Sequence, residues 1–280
     1  MDLFRHSVGP AGSRLSPVVI LHGLFGSHRN WQSVSTSLAE RLQRLVVCAD
    51  LRNHGKSVRF PSDSEGPIGE PMEWPLMTED LTRLLLDIGR PVTLLGHSLG
   101  GHMAMQAVLG NDPRIHGLVS RLIIVDIAPR RMDFCQSIQY RYLQAMEQID
   151  SLHLPRKEAM AQFRQVETDE RIIQFLFTNY GKLRDGREGF LIPLSAIRRG
   201  MMTLSDTFCE YLHRTSPVKM PTLFIKGEAS DYIRDADVPL IKGLFPDADL
   251  CRIPDSGHWP HHDQPVPFLD CIVQTMTGRK

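Results

Sequence analysis

Short apolar runs punctuate the chain at Pro17–Leu21, Leu45–Ala49, Val92–Leu95, Leu122–Ile127, Pro221–Gly227 and Asp249–Ile253. Most of them lack polar alternation, the pattern of strands covered on both faces. Between them the period changes. Leu81, Leu84, Leu85 and Ile88 fall at helical spacing, so a helix is expected from a Thr78-Glu79-Asp80 cap to about Ile88, and another around Val238–Leu244. Residues 60–75, with several Pro and Gly, read as a surface loop. Strands alternating with helices predict an α/β architecture, a doubly wound and mostly parallel sheet whose ligands bind beyond the carboxyl ends of its strands.

From 131 to 214 the strand runs stop. Ile138–Ile149, Lys157–Val166, Glu170–Phe177 and part of Leu194–Leu212 carry helical periodicity alone, which predicts a helical cap, 131–214, inserted into a core made of 1–130 and 215–280. By default its Tyr140, Tyr142, Met146, Phe163, Phe175, Phe177, Met201, Met202 and Phe208 form the cap's own core, and a few of them face the site below. Periodicity does not say which.

Composition narrows the partners. The 280 residues hold 32 basic and 32 acidic side chains, and Arg130-Arg131 and Arg198-Arg199 are isolated pairs, so the basic face that nucleic acid requires is missing. Five cysteines, an odd number without a Cys-x-x-Cys pair, predict neither a disulfide framework nor a zinc knuckle, and suit a reducing compartment. The first seventeen residues lack the apolar core of a secretory signal, and no apolar run is long enough to span a bilayer. An intracellular protein, cytoplasmic or mitochondrial, is expected; oligomeric state is not legible.

The candidate chemistry centres on Gly96-His97-Ser98-Leu99-Gly100. A buried strand that turns at once into a helix puts the apex residue in a strained conformation with its side chain exposed, and glycines on both sides let strand and helix approach. Ser98 is then a nucleophile at a helix N-terminus; the plain alternative is an ordinary glycine-rich turn. The first strand ends in His22-Gly23-Leu24-Phe25-Gly26, a second tight turn. Acyl transfer needs two N–H donors for the developing oxyanion, and the amides of Leu24 and Leu99 are the candidates, with His22 bracing the loop. Gly55-Lys56-Ser57 suggests a phosphate loop, but Asp50 stands where a Walker glycine is required, so Asp50 and Arg52 read as structural ion-pairing or capping residues.

After the last strand, Gly257-His258-Trp259 supplies a base on a loop able to fold back over the nucleophile. His258, His261 and His262 could also ligate a metal, but no carboxylate or cysteine at ligand spacing joins them. Two carboxylates compete for the third place. Asp126 caps a strongly apolar strand, where a bare charge is costly unless it meets a donor such as the His258 ring N–H. Asp231 follows the strand ending at Gly227 and reads otherwise as a turn residue.

Over essentially its whole length the chain resembles the α/β-hydrolases. His22-Gly23-Leu24-Phe25-Gly26, Asn30-Trp31, Asp50 to Ser57, Gly96 to Gly101, Val125-Asp126-Ile127-Ala128-Pro129 and Gly257-His258-Trp259 are similar to one branch, which joins small bacterial esterases, mitochondrial abhydrolase proteins and fungal ethanol acetyltransferases. In many α/β-hydrolases the acid sits at a Gly-x-x-Asp spacing; here Ser230 holds that slot, with Asp231 one residue late. The resemblance implies Asp126 as the acid and Ser230 as a further polar partner of His258. It implies a serine hydrolase acting on short to medium acyl esters or thioesters through an acyl-enzyme, with Ser98, His258 and Asp126 as the triad and neither cofactor nor metal. Two other readings are an alcohol acyltransferase with the same triad and a catalytically silent binding protein of this fold.

Overall fold

The computed structural model describes every residue except 62–63, 65, 111, 116, 132, 134–135, 213–215 and 279–280, and only the backbone of 206–212. A seven-stranded sheet forms its centre. β2 (Val18–Leu21), β3 (Val46–Ala49), β4 (Val92–His97), β5 (Val119–Val125), β8 (Thr222–Gly227) and β9 (Ala248–Ile253) run parallel in the order β3-β2-β4-β5-β8-β9. β1 (Arg5–Val8) pairs antiparallel with the β3 edge, and the sequence pattern did not announce it. Its half-exposed Arg-His-Ser-Val lacks the apolar run that marks the other strands.

Period-two alternation divides the core. Val19 and Leu21 of β2 face one layer with α2 (Trp74–Ile88) and α3 (Leu99–Leu109). Val18 and Ile20 face the other, against α1 (Gln32–Leu42) and α10 (Pro265–Thr277). Consecutive strands β2 and β3 lie on one side while β4 returns on the other, so the chain reverses its winding at the carboxyl ends of β2 and β4. Such a switch point opens a crevice for a ligand.

Helix α2 begins four residues before the expected Thr78 cap, because Pro75 fits the first turn, where no N–H partner is needed. Thr78 instead back-bonds to the Trp74 carbonyl inside the helix (2.8 Å). Asp80 is buried and takes two hydrogen bonds from Arg52, Nε to Oδ2 at 2.8 Å and Nη2 to Oδ1 at 2.9 Å. Arg52 is thus an ion-pairing residue, with Asp80 rather than Asp50.

Between β5 and β8 lie α4 (Ile138–Asp150), α5 (Arg156–Phe163), α6 (Glu170–Phe177) and α7 (Leu194–Leu212). They are not alone, as expected, but joined by an antiparallel hairpin of β6 (Tyr180–Lys182) and β7 (Glu188–Phe190). Three-residue strands are too short to show a period; the Asp185-Gly186 turn, with Gly186 at φ +88°, was the available signal. Met146, Phe163, Phe177 and Met201 are buried, whereas Met202 is exposed. The expected 214/215 boundary, Cys135 and the side chains of Phe208 and Cys209 lie outside the described residues. Cys251 and Cys271 are joined in a disulfide, which corrects the expectation of none: β9 and α10 pack together although nothing in their sequence spacing pairs them. Among the described residues no helix is long and apolar enough to cross a membrane.

Removing one partner of the Arg52–Asp80 pair leaves a buried charge without its counter-ion. Asp80→Ala should cost about 3–5 kcal/mol, read as a lowered denaturant midpoint at constant slope, while Asp87→Ala on an exposed face should stay within about 0.5 kcal/mol. Equal midpoints for the two variants would deny the pair its structural weight.

Candidate active site

The turn from β4 into α3 holds Ser98 at φ 51° and ψ −116°, a strained conformation in which the side chain projects beyond the sheet edge. Glycine is required on both sides. A Cβ on Gly96 would stand 2.3 Å from the Gly100 carbonyl oxygen, and one on Gly100 would stand 2.5 Å from that of Leu21. Among the described residues neither the Leu99 amide, at the first turn of α3, nor the Leu24 amide, in the loop after β2, donates to a backbone acceptor. Both belong to segments that border Ser98.

Asp126 follows β5 at φ +48°, fully buried, with its amide still on the Ile225 carbonyl (2.8 Å). Its carboxylate accepts from the Gly227 amide (3.0 Å), from the Ser230 hydroxyl and from His258 Nδ1–H (2.8 Å). Ser230 therefore touches the carboxylate and not the imidazole, which corrects the expected Ser230–His258 contact: the turn after β8 points its hydroxyl down at the strand tip. Asp231 is exposed, and its carbonyl accepts from Arg130 (3.0 Å). The structure brings Asp126, not Asp231, against His258.

The three clustered histidines separate. His258 faces Asp126, His261 stacks on Trp31 (centroids 4.1 Å apart, 11° between planes), and His262 is exposed. Among the described residues no group of three His, Cys, Asp or Glu could hold a metal ion. His22 accepts the Leu51 amide at Nε2 (2.9 Å) and donates from Nδ1 to the Gly23 carbonyl (2.8 Å), bracing the loop that carries Leu24.

Several residues around His258 escaped the sequence reading. Tyr232 stacks on the His258 ring (3.7 Å, 19°), and its hydroxyl accepts from Gln139 Nε2 of α4 (2.6 Å). His97 donates from Nε2 to the His258 carbonyl (2.8 Å), and Asp263 accepts the Gly257 amide (2.8 Å). His97 sits within the Gly-x-Ser-x-Gly motif and could have been found there; the tyrosine, two residues past an empty acid slot, carries no signal of its own.

Ser98 and His258 share a cavity of about 590 Å³, with Leu24, Trp31, Tyr142, Ile172, Phe175 and Trp259 among its walls and Arg156, Glu170 and Arg171 adding charge. Tyr142 and Phe175 are thus, among the described side chains of the expected cap cluster, the ones that reach the site. A serine hydroxyl at an elbow, an imidazole fixed by a buried carboxylate and two neighbouring amides are the groups that nucleophilic acyl transfer requires. The alpha/beta hydrolase family model matches residues 18–270, most of the chain.

The chain belongs to the alpha/beta hydrolase family. This hydrolase is 37% identical over 265 residues to the sn-1-specific diacylglycerol lipase ABHD11 of Danio rerio, covering 92% of this chain and 77% of the relative. It is 30% identical over 269 residues to esterase YbfF of Escherichia coli, covering 92% and 91% of the two. A marine microorganism esterase of known structure superposes with a TM-score of 0.83 at 32% identity, over 98% of this chain and 99% of that one.

Burial keeps the neighbouring imidazoles of this hydrolase neutral. It pushes His261 and His54 down to about 3 and His102 to about 4, and it lowers His97 well below the ordinary value of 6.5, with His258 and His261 adding to the effect. An unfolded chain protonates the same rings near 6.5, so below that pH it binds more protons than the folded one. The stability these neutral rings contribute is therefore present above about pH 6.5 and drains as pH falls towards 3. Between about pH 7 and about pH 5 the unfolding free energy should decline, by at most ~1.4 kcal/mol per unit for each ring. His261→Phe, which keeps the stack on Trp31, should flatten that decline; a slope identical to wild type would place the ring elsewhere in the energetics.

Proposed function

We propose that Ser98 is the nucleophile, His258 the general base and acid, Asp126 its orienting carboxylate, and the amides of Leu24 and Leu99 the oxyanion donors. The chain is a carboxylic ester hydrolase; the proposal assigns the roles and takes the substrate to be an ester or thioester with a short to medium acyl chain. The observation that carries it is the 2.8 Å contact of His258 Nδ1–H with buried Asp126, on the same cavity as an elbow serine.

With Nδ1–H donated to Asp126, His258 Nε2 is free to take the Ser98 proton as the hydroxyl oxygen attacks the carbonyl carbon. The carbonyl oxygen becomes an oxyanion facing the two amides. Its collapse expels the alcohol or thiol, protonated by His258, and leaves acylated Ser98. Water, deprotonated by the same imidazole, then releases the acid. The apolar walls Leu24, Ile172 and Phe175 support an acyl chain, and α4 to α7, above the sheet edge, act as the cap. An intracellular location, cytoplasmic or mitochondrial, stays in the proposal on cysteine usage, with Cys48 a buried thiol and the Cys251–Cys271 bridge against it.

One observation favours a second reading, in which an alcohol resolves the acyl-enzyme. Gln139 Oε1 is buried without a partner among the described residues and belongs to a cavity-lining residue, an acceptor that could hold a hydroxyl. Hydrolysis needs no such group, and it remains the main activity.

Ser98→Ala should abolish ester hydrolysis and labelling by a fluorophosphonate probe while melting like wild type; near wild-type turnover in the folded variant would end the proposal. Asp126→Asn should lower turnover by roughly 10⁴-fold, since the imidazole then favours the wrong tautomer, and Asp231→Asn should cost far less. The reverse ranking transfers the role to Asp231. Product partitioning with a short acyl ester and modest ethanol decides between hydrolysis and alcoholysis: acid release should dominate, and ester synthesis in excess would make the protein an acyltransferase.

A further inference from the structure

A second cavity, of about 420 Å³, opens beside the first. The two are lined by successive residues of the loop after β2, Leu24 to Gly26 on one side and Ser27 to Arg29 on the other, and they share Thr178. Asn179, in the lining of the second, donates from Nδ2 to the Phe25 carbonyl of that loop (2.8 Å).

Its chemistry is the opposite of the acyl cavity's. Arg29, Lys56, Lys182 and Arg184 line it, and among the described residues no lining residue is acidic. In a chain with 32 basic and 32 acidic residues, that is a strong local excess. The charges come from two sides: Arg29 and Lys56 from loops of the sheet, Lys182 and Arg184 from β6 and its hairpin turn. Lys56 Nζ stands 4.6 Å over the Phe4 ring, and the Arg184 guanidinium donates to the Phe60 and Pro61 carbonyls. These partners are neutral. The carboxylate beneath, Asp50, is fully buried and occupied by the His28 amide (2.5 Å), His28 Nδ1 (2.8 Å) and the Lys56 amide (2.8 Å). It anchors the floor of the cleft and presents no oxygen to it.

Four cations converging from two segments fit a group with more than one negative charge and several acceptor oxygens, which is the chemistry of a phosphate ester. The position adds the rest. An acyl chain held at Ser98 fills the apolar cavity, and a leaving group that passes the Thr178 rim enters the basic cleft. We infer that the cleft binds the phosphate of a phosphorylated alcohol or thiol leaving group, so that the preferred substrate is an acyl ester or thioester with an apolar acyl end and an anionic end. This rests on the proposed reaction at Ser98.

The test compares one butyryl chain on three leaving groups, neutral p-nitrophenol, glycerol 3-phosphate and coenzyme A, in wild type and in the Lys56→Ala, Lys182→Ala double variant. Both side chains are exposed, so the variant should fold as wild type does. For the phosphorylated substrates kcat/KM should fall about tenfold or more, through KM, while the neutral ester changes by less than about twofold. Which phosphorylated ester wild type prefers tells a nucleotide phosphate from a glycerol phosphate. In parallel, calorimetry with 3′-phosphoadenosine 5′-diphosphate, glycerol 3-phosphate and inorganic phosphate measures the cleft without turnover. Binding to wild type that is lost in the double variant supports the site even where no ester is cleaved, an outcome that would instead sink the reaction at Ser98. No binding of any of the three probes, equal binding to both proteins, or an equal loss on neutral and phosphorylated esters overturns the inference.

Discussion

A fully buried carboxylate is tolerable only where donors replace the water it has lost. Asp126 meets that condition by drawing two separate segments onto the end of β5. The Gly227 amide comes from the tip of β8, the Ser230 hydroxyl from the turn beyond it, and His258 from the loop after β9. The β5·β8 register makes the first of these possible: Val125 pairs with Ile225, Asp126 keeps its amide on the Ile225 carbonyl, and the chain then turns at positive φ to aim the carboxylate outward. One charge thus fixes where three loops meet. Without it the His258 ring would lose the acceptor of its Nδ1–H.

The imidazole is held by more than its acid. Tyr232 covers one ring face, the His97 side chain fixes the His258 carbonyl, and Asp263 fixes the preceding amide. His97 and His261 are close enough to matter electrostatically: the His97 centroid lies 4.8 Å from that of His258 and 4.9 Å from that of His261. Their burial keeps them uncharged, so neither adds a positive charge to oppose the imidazolium that forms on His258 in the proposed mechanism. A cluster of histidines that looks like a metal site in sequence separates in space into one ring on Asp126, one stacked on Trp31 and one exposed.

The sequence carried the centre of this arrangement and little of its periphery, for a physical reason in each case. Buried parallel strands must be apolar on both faces, so β2 to β5 and β8 stood out; β1, wet and half-exposed, did not. The elbow was legible because close strand–helix approach excludes every residue but glycine at 96 and 100. Helix α2 was started too late because Thr78-Glu79-Asp80 mimics a cap, while the buried task of Asp80 depends on Arg52, 28 residues earlier in the chain. Ser230 was tied to His258 on spacing, yet a turn can point a hydroxyl either way, and only the third dimension sends it to Asp126. The hairpin β6–β7 and the stacking of Tyr232 rest on contacts between distant segments, for which no local period exists.

The loop after β2 shows how far those contacts reach. Its start is braced by His22, clamped between the Leu51 amide and the Gly23 carbonyl, and its end by His28, whose amide and ring both bind Asp50. A polar network, together with the buried Phe25 side chain, therefore sets the position of the Leu24 amide, and such a network holds direction as well as distance. Between the two braces Phe25 adopts φ +62°, and its carbonyl is taken by Asn179, which lies between α6 and β6 in the inserted helices. The third anchor is thus supplied by a different part of the chain. That hydrogen bond ties the segment between α6 and the hairpin to the loop that borders Ser98, the loop whose residues line both cavities. Substrate seated at both ends would hold Asn179 in place, so that binding of the leaving group and orientation of the proposed oxyanion donor become one event.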